Sequence, residues 1–248
     1  MCVNQHIFKE RVMVKFLKRF VDPVVPLWAI APLVLCFIFN CAIYWLTMAL
    51  CGGLPHYDLT LPIDERIPVV TGWIFIYLGY CYVFWALSYC YIAKVHRDRS
   101  IDVFRFVTAD IMSRIVCMLF FIFFPTTNTR PEILGDTLSD DLTRFLYTID
   151  EPTNLFPSIH CLVSWLCFIG IRAEKNVKLA VKVFSCASAL LIMASTQFLK
   201  QHYILDMVSA ILLAEICYFI AGKIRFPIFL TRWYSKIVRK LVPGAKLN

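Results

Sequence analysis

An all-α polytopic membrane protein with six transmembrane helices is the fold class that this 248-residue sequence predicts. Three observations predict it. Apolar residues make up 60% of the chain and charged residues 17%, with a mean hydropathy of +0.69, whereas a soluble domain carries roughly 45–50% apolar residues. These residues gather into six runs, most of them near the ~20 residues that a helix needs to cross the hydrocarbon core. Lysine and arginine concentrate in alternate connections, as the positive-inside rule requires of a fixed orientation. Together these exclude a secreted disulfide scaffold, a disordered chain and a conventional soluble enzyme.

Taken in order, residues 1–22 interleave Lys9, Arg11, Lys15, Lys18 and Arg19 with Ile7, Phe8, Val12, Val14, Phe16, Leu17 and Phe20. That mixture fits an interfacial amphipathic helix and not a cleavable signal peptide. The six spans then fall at 24–50, 69–93, 106–124, 156–171, 179–198 and 203–221. The fourth is short, so it either borrows length from Arg172 to Glu174 or begins below the membrane surface. From Lys223 onward a basic tail carries seven Lys/Arg together with Trp233 and Tyr234. The expected organisation is thus a 1–22 arm, a 23–222 six-helix catalytic domain and a 223–248 tail, with no internal repeat.

Nineteen Lys/Arg lie in the N-terminal arm, in 94–105, in 172–178 and in the tail, against four in the other connections. The expected orientation places both termini in the cytoplasm, and the loops around Asp58, 130–155 and Lys200 on the outer face of the plasma membrane. The net charge of +8 suits the anionic inner leaflet and gives no reason to invoke nucleic acid. Of 11 cysteines most sit in apolar runs, and no CxxC pair or Cys/His cluster has metal spacing. Neither disulfides nor a metal site is expected.

Three outer-face segments carry chemistry. Phe156-Pro157-Ser158-Ile159-His160 opens the fourth span. Pro157 suits a first helical turn, and free N–H groups with the Ser158 hydroxyl make an anion site there. The alternative is that Ser158 merely caps the helix. Between the fifth and sixth spans, Ser195 to Asp206 sets His202 and Asp206 four residues apart, on one helix face. A carboxylate there can hold the Nδ1 proton and leave Nε2 as a nucleophile; the alternative is a structural His–Asp pair. The third segment is Thr129-Arg130-Pro131, where a guanidinium offers a donor fork to phosphate, unless it is simply solvated. All three fall on the same side of the membrane in a topology drawn from Lys/Arg counting, which made no use of the histidines.

The order Arg-Pro, Pro-Ser-x-His, then Ser-x6-His-x3-Asp resembles the type 2 phosphatidic acid phosphatase superfamily, which includes lipid phosphate phosphatases, sphingolipid-type phosphotransferases and vanadium haloperoxidases. The resemblance spans Arg130 to Asp206 plus the six-helix layout. It implies a haloperoxidase-like helical core without cofactor or metal, acting on a lipid phosphate in the bilayer. His202 would form a phosphohistidine, Asp206 would orient it, His160 would protonate the leaving oxygen, and Arg130, Ser158 and Ser195 would bind phosphoryl oxygens. A neutral His202 and a protonated His160 together predict a bell-shaped pH profile.

The chain departs from that pattern at Phe123 (a lysine in the family), Thr196 (an arginine) and Ile159 (a glycine). Lys200 is a candidate substitute for the missing phosphate cations. Phe-Pro-Ser-Ile-His and His-Tyr-x-x-Asp look closer to the inositol phosphorylceramide and sphingomyelin synthase branch. The expected activity is therefore a lipid phosphatase, with a phosphotransferase as the alternative and a non-catalytic lipid binder or transporter as the rival from another class. Asp110 and Arg114 are expected to pair within the bundle, and Glu215 to bond a neighbouring helix.

Overall fold

The computed structural model describes residues 17–241. Lys9, Arg11 and Lys15 of the expected N-terminal amphipathic helix lie outside the described residues, and Leu17–Val21 forms one π-helical turn. The first long helix, α1, is Leu27–Cys51. Asp22 Oδ1 accepts from Leu27 N at 3.0 Å, satisfying an amide that has no intrahelical partner at a helix start. A short helix α2, Pro62–Arg66, follows the two-residue strand β1, Tyr57–Asp58. The helix Thr71–Val95, α3, opens with a 3-10 turn over Thr71–Trp73 and a π segment over Phe75–Tyr80 before settling into α geometry at Cys81. Then come α4, Ser100–Phe123, and β2, Thr126–Thr127. The remaining helices are α5, Leu138–Ile149, α6, Ile159–Arg172, α7, Leu179–Phe198, α8, Ile204–Lys223, and α9, Phe226–Leu241.

Among the described residues five helices are long and apolar enough to cross a membrane: α1, α3, α4, α7 and α8. The expected fourth span is α6, apolar but only 14 residues, about 21 Å at 1.5 Å per residue against a ~30 Å hydrocarbon core. It is short because Ser158, and not an earlier residue, is its N-cap, so Phe156 and Pro157 lie outside the helix. Pro157 therefore precedes the first turn that the sequence assigned to it. Helix α6 packs against α3, α4, α7 and α8. Most of its side chains are buried, and Cys161, Leu162, Leu166 and Cys167 join Phe106, Cys117, Ile192 and Ala214 in the main core. Such central placement lets a helix be short, because protein and not lipid surrounds most of it. Gly170 permits a close approach: a Cβ there would lie 2.8 Å from Ile92 Cδ1 on α3.

At the end of the bundle away from His160 and His202, Glu174 receives His96 Nε2 at 3.1 Å and an Arg99 bond. Glu215 Oε1 accepts from Trp165 Nε1 at 2.9 Å and from Arg172, the bond to a neighbouring helix expected of it. Helix α9 docks there on α4, with Tyr234 Oη donating to Trp28 O at 2.9 Å. Its other side leaves Phe226, Phe229 and Trp233 exposed. The ten described cysteines are free.

At the opposite end the connections are tied into one cap. Strands β1 and β2 pair in parallel, Tyr57 with Thr126 and Asp58 with Thr127. Thr126 also bridges Asn154, and its Oγ1 accepts from Phe156 N at 3.0 Å. Asp64 is buried, with Oδ1 taking Ile204 N at 2.9 Å at the start of α8. Helix α5 was not anticipated, although Thr137 and Asp140 form a capping box at its start. Thr71 Oγ1 donates to Asp140 Oδ1 at 2.6 Å, fastening α5 to the start of α3.

Candidate active site

Three of the cap's connections converge on one cavity of about 180 Å³, lined among others by Arg130, Asp150, His160, Gln201, His202 and Tyr77. His202 reaches it because α7 ends abruptly. Lys200 takes a left-handed backbone with φ 49°, and the amides of Gln201 and His202 both return to Thr196 O at 2.9 and 3.2 Å. A non-glycine residue at positive φ costs energy that the surroundings must offset. Two contacts hold Lys200 there: its Nζ donates to Asp64 O, and its own carbonyl accepts from Asn128 Nδ2 at 2.8 Å.

Asp206 lies in the first turn of α8, 1% exposed. Its Oδ2 accepts from Tyr203 N at 2.9 Å and stands 3.4 Å from His202 Nδ1. That separation is within ion-pair reach, but Nδ1 is not aligned for a hydrogen bond and has no other hydrogen-bond partner. With Nδ1 toward the carboxylate, Nε2 is the nitrogen left for chemistry. His160 occupies the second position of α6, its ring centroid 5.8 Å from that of His202. Tyr77 stands against it with ring centroids 4.5 Å apart, and its Oη lies 3.4 Å from His160 Nδ1. Trp85 is 5.6 Å away on another side. Tyr77 belongs to the π segment of α3, a distortion that commonly marks functional positions.

Arg130 supplies the cavity's lysine or arginine charge among the described residues. Its Nη2 donates to Gln201 Oε1 at 3.0 Å, Nη1 donates to the carbonyl of Asp150, and Cζ sits 4.9 Å over the Tyr147 ring. Nε is buried without a partner, which leaves an N–H donor for a ligand. Burial pushes the guanidinium below its ordinary value, with Tyr77 and Tyr147 opposing the shift; an arginine nevertheless stays charged.

Sequence reasoning missed Asp150, which ends α5 and accepts a bond from Tyr44 Oη. Burial pushes its carboxyl up to about 6, against the pull of His202. Asp150 carried no motif signal. Tyr77 carried none either, since its pairing with His160 spans 83 residues. The helix that delivers Asp150 could have been found: Leu138, Leu142, Leu146 and Ile149 recur at helical spacing behind the Thr137–Asp140 box.

Of the seven residues expected at the site, the structure brings Arg130, His160 and His202 to the cavity, with Asp206 behind His202. It does not bring Ser158, Ser195 or Lys200 to the lining. Ser158 is fully buried as the N-cap of α6, its Oγ accepting from Cys161 N at 3.3 Å, while its own amide donates to Asp206 O at 3.2 Å. Ser195 donates to Ile192 O at 2.6 Å within α7. Lys200 is turned toward Asp64 by its left-handed backbone. The motif departures have concrete surroundings too: Phe123 is 77% exposed and Thr196 is buried, donating to Met193 O at 2.7 Å. Among the described residues, no group of three or more His, Cys, Asp or Glu side chains is arranged to hold a metal ion.

Chemically the cavity offers an imidazole with a carboxylate behind it, a second imidazole one ring away and a buried guanidinium. Such a set can bind a tetrahedral anion and exchange one of its oxygens. A family model described as the PAP2 superfamily matches residues 64–220, a stretch that contains Arg130, Ser158, His160, Ser195, Lys200, His202 and Asp206. No curated protein and no solved structure matches the chain.

Proposed function

The chain belongs to the PAP2 superfamily, the type 2 phosphatidic acid phosphatases and their relatives, and from that premise we propose that it is a membrane lipid phosphatase working through a phosphohistidine on His202. Family membership supports phosphatase-type phosphoryl transfer in general. The observation that carries the finer reading is the 5.8 Å approach of the His160 and His202 rings on one cavity that also holds Arg130.

In this mechanism His202 Nε2 attacks phosphorus, and the P–O bond to the lipid breaks as the N–P bond forms. Asp206, 3.4 Å from Nδ1, stabilises the positive charge that develops on the ring. His160 protonates the departing oxygen. Water then attacks phosphorus, His160 takes back a proton, the N–P bond breaks and phosphate leaves. Arg130 meets the charge on the equatorial oxygens. Lys200 and Asp64 shape the turn that presents His202, and the N-cap of Ser158 presents His160. The 23–222 bundle is the catalytic unit, and the cavity faces the outer leaflet of the plasma membrane; the expected 1–22 arm and 223–248 tail lie partly outside the described residues.

The same intermediate could pass its phosphoryl group to a lipid alcohol, and the acceptor alone separates the two reactions. Full-length protein in vesicles containing a lipid phosphate is expected to release inorganic phosphate at a rate indifferent to an added lipid alcohol. A new phosphorylated lipid that forms only with the alcohol present would replace the hydrolase with the transferase. Binding of the lipid without either product would leave a non-catalytic protein.

Asp150 gives a pH prediction. In its ionised form it would stabilise the positive charge that develops on the His202 ring as Nε2 bonds phosphorus, because the two groups line one cavity and are coupled electrostatically. Because burial holds its carboxyl at about 6, kcat/KM of the wild type should rise as pH increases through that value. Asp150→Asn should lack that rise. Dividing the wild-type profile by the variant's cancels titration of the substrate phosphate, and a ratio that stays flat across pH 6 would remove Asp150 from the reaction.

A further inference from the structure

A second cavity of about 240 Å³ lies beside the first, between α1 and α3. Phe37, Asn40, Tyr82 and Trp85 line both cavities, so they share a wall. Since the Trp85 ring stands 5.6 Å from His160, the second cavity begins about one side chain from the reacting centre. Its lining is mostly apolar, with Leu33, Val34 and Ala86, but Arg114 of α4 also reaches it. Arg114 is 1% exposed and pairs with Asp110, Nη2 to Oδ1 at 3.0 Å. Tyr89 Oη donates to the same carboxylate oxygen at 2.8 Å. Arg114 Nε and Nη1 have no hydrogen-bond partner.

Unpartnered N–H groups in an apolar interior are costly, and a ligand that brings an acceptor relieves that cost. Asp110 already balances the guanidinium charge, so the missing partner is a neutral acceptor and not a second anion. We infer that this cavity is a binding site for the acyl part of the substrate, in which Arg114 donates to an ester or amide carbonyl while the phosphate lies between His202 and Arg130. The inference rests on the lipid-phosphate reading and narrows it. An acyl ester carries a carbonyl a few bonds from its phosphate, whereas an isoprenoid phosphate carries none. Arg114 would then be a specificity-determining residue that takes no part in proton or phosphoryl transfer.

The test compares a diacyl phosphatidate with its dialkyl ether analogue of equal chain length, each presented to the full-length protein in mixed micelles. The wild type is expected to favour the diacyl donor by about tenfold in kcat/KM, the worth of one hydrogen bond to a charged donor. Removing either member of the buried pair alone would strand the other, so Asp110→Leu and Arg114→Met are made together. That double variant should turn over both donors at the rate the wild type shows for the ether. Arg114→Lys, which keeps the ion pair but loses the forked donors, should reduce the preference as well and serves if the double variant does not fold. Equal use of both donors by the wild type, or a preference that survives these variants, overturns the inference while the lipid-phosphate reading stands. Failure of the wild type to turn over either donor, or a prenyl phosphate, defeats the lipid-phosphate reading itself.

Discussion

His202→Ala is expected to lower phosphate release by at least about 10⁴-fold while the bundle still folds, because a covalent nucleophile cannot be replaced by its neighbours. The turn before it is organised by backbone bonds to Thr196 O and by the Lys200 contacts, none of which uses the imidazole. Helix α8 keeps its own start as well, since Asp206 Oδ2 bonds Tyr203 N and Asp64 Oδ1 bonds Ile204 N. Helical circular dichroism and thermal unfolding of the variant should therefore stay close to the wild type. Retained turnover in a variant that labels no histidine with radioactive phosphate would discard the covalent mechanism.

Arg130→Lys should be nearly as damaging, about 10²–10³-fold in kcat, the loss typical of removing one preorganised donor to a developing oxyanion. One guanidinium spans Gln201 Oε1, the Asp150 carbonyl and the face of Tyr147 and still has a free Nε–H. An ammonium is a point charge with no planar fork and cannot hold both anchors while facing the cavity. The chain has Phe123 and Thr196 where the family pattern carries cations, and Lys200 is occupied by Asp64. Little remains to compensate. Comparing kcat with KM for the variant measures this: a rise in KM with kcat unchanged would mean that Arg130 only gathers substrate.

What the sequence could reveal depended on whether the signal was local. Helix α7 begins and ends where its apolar run does, at Leu179 and Phe198. The Asp110–Arg114 pair is four residues apart on one helix and was visible as such. His202 and Asp206 were legible for the same reason. Ser195 and Lys200 do not line the cavity: the Ser195 hydroxyl bonds Ile192 O within its own helix, and linear spacing does not register the left-handed residue that directs Lys200 toward Asp64. Tyr77, Asp150 and Gln201 contribute through partners 71 or more residues distant or through a helix inside a loop, and no periodicity encodes such pairings. Helix α6 lies where the short fourth span was expected, but it starts at Ile159 and not Phe156, because Ser158 and not Pro157 opens it, and hydropathy does not register a cap.

Asp64 also bears on how the chain is made. Its contacts to Lys200 and Ile204 close intervals of 136 and 140 residues, so although Leu61 N and Ile67 N already bond Asp64 locally, these two bonds form only once the last hairpin has been inserted. A nascent chain released before that hairpin would hold Arg130 and His160 but have no completed reaction centre, and activity would begin only when biogenesis ends.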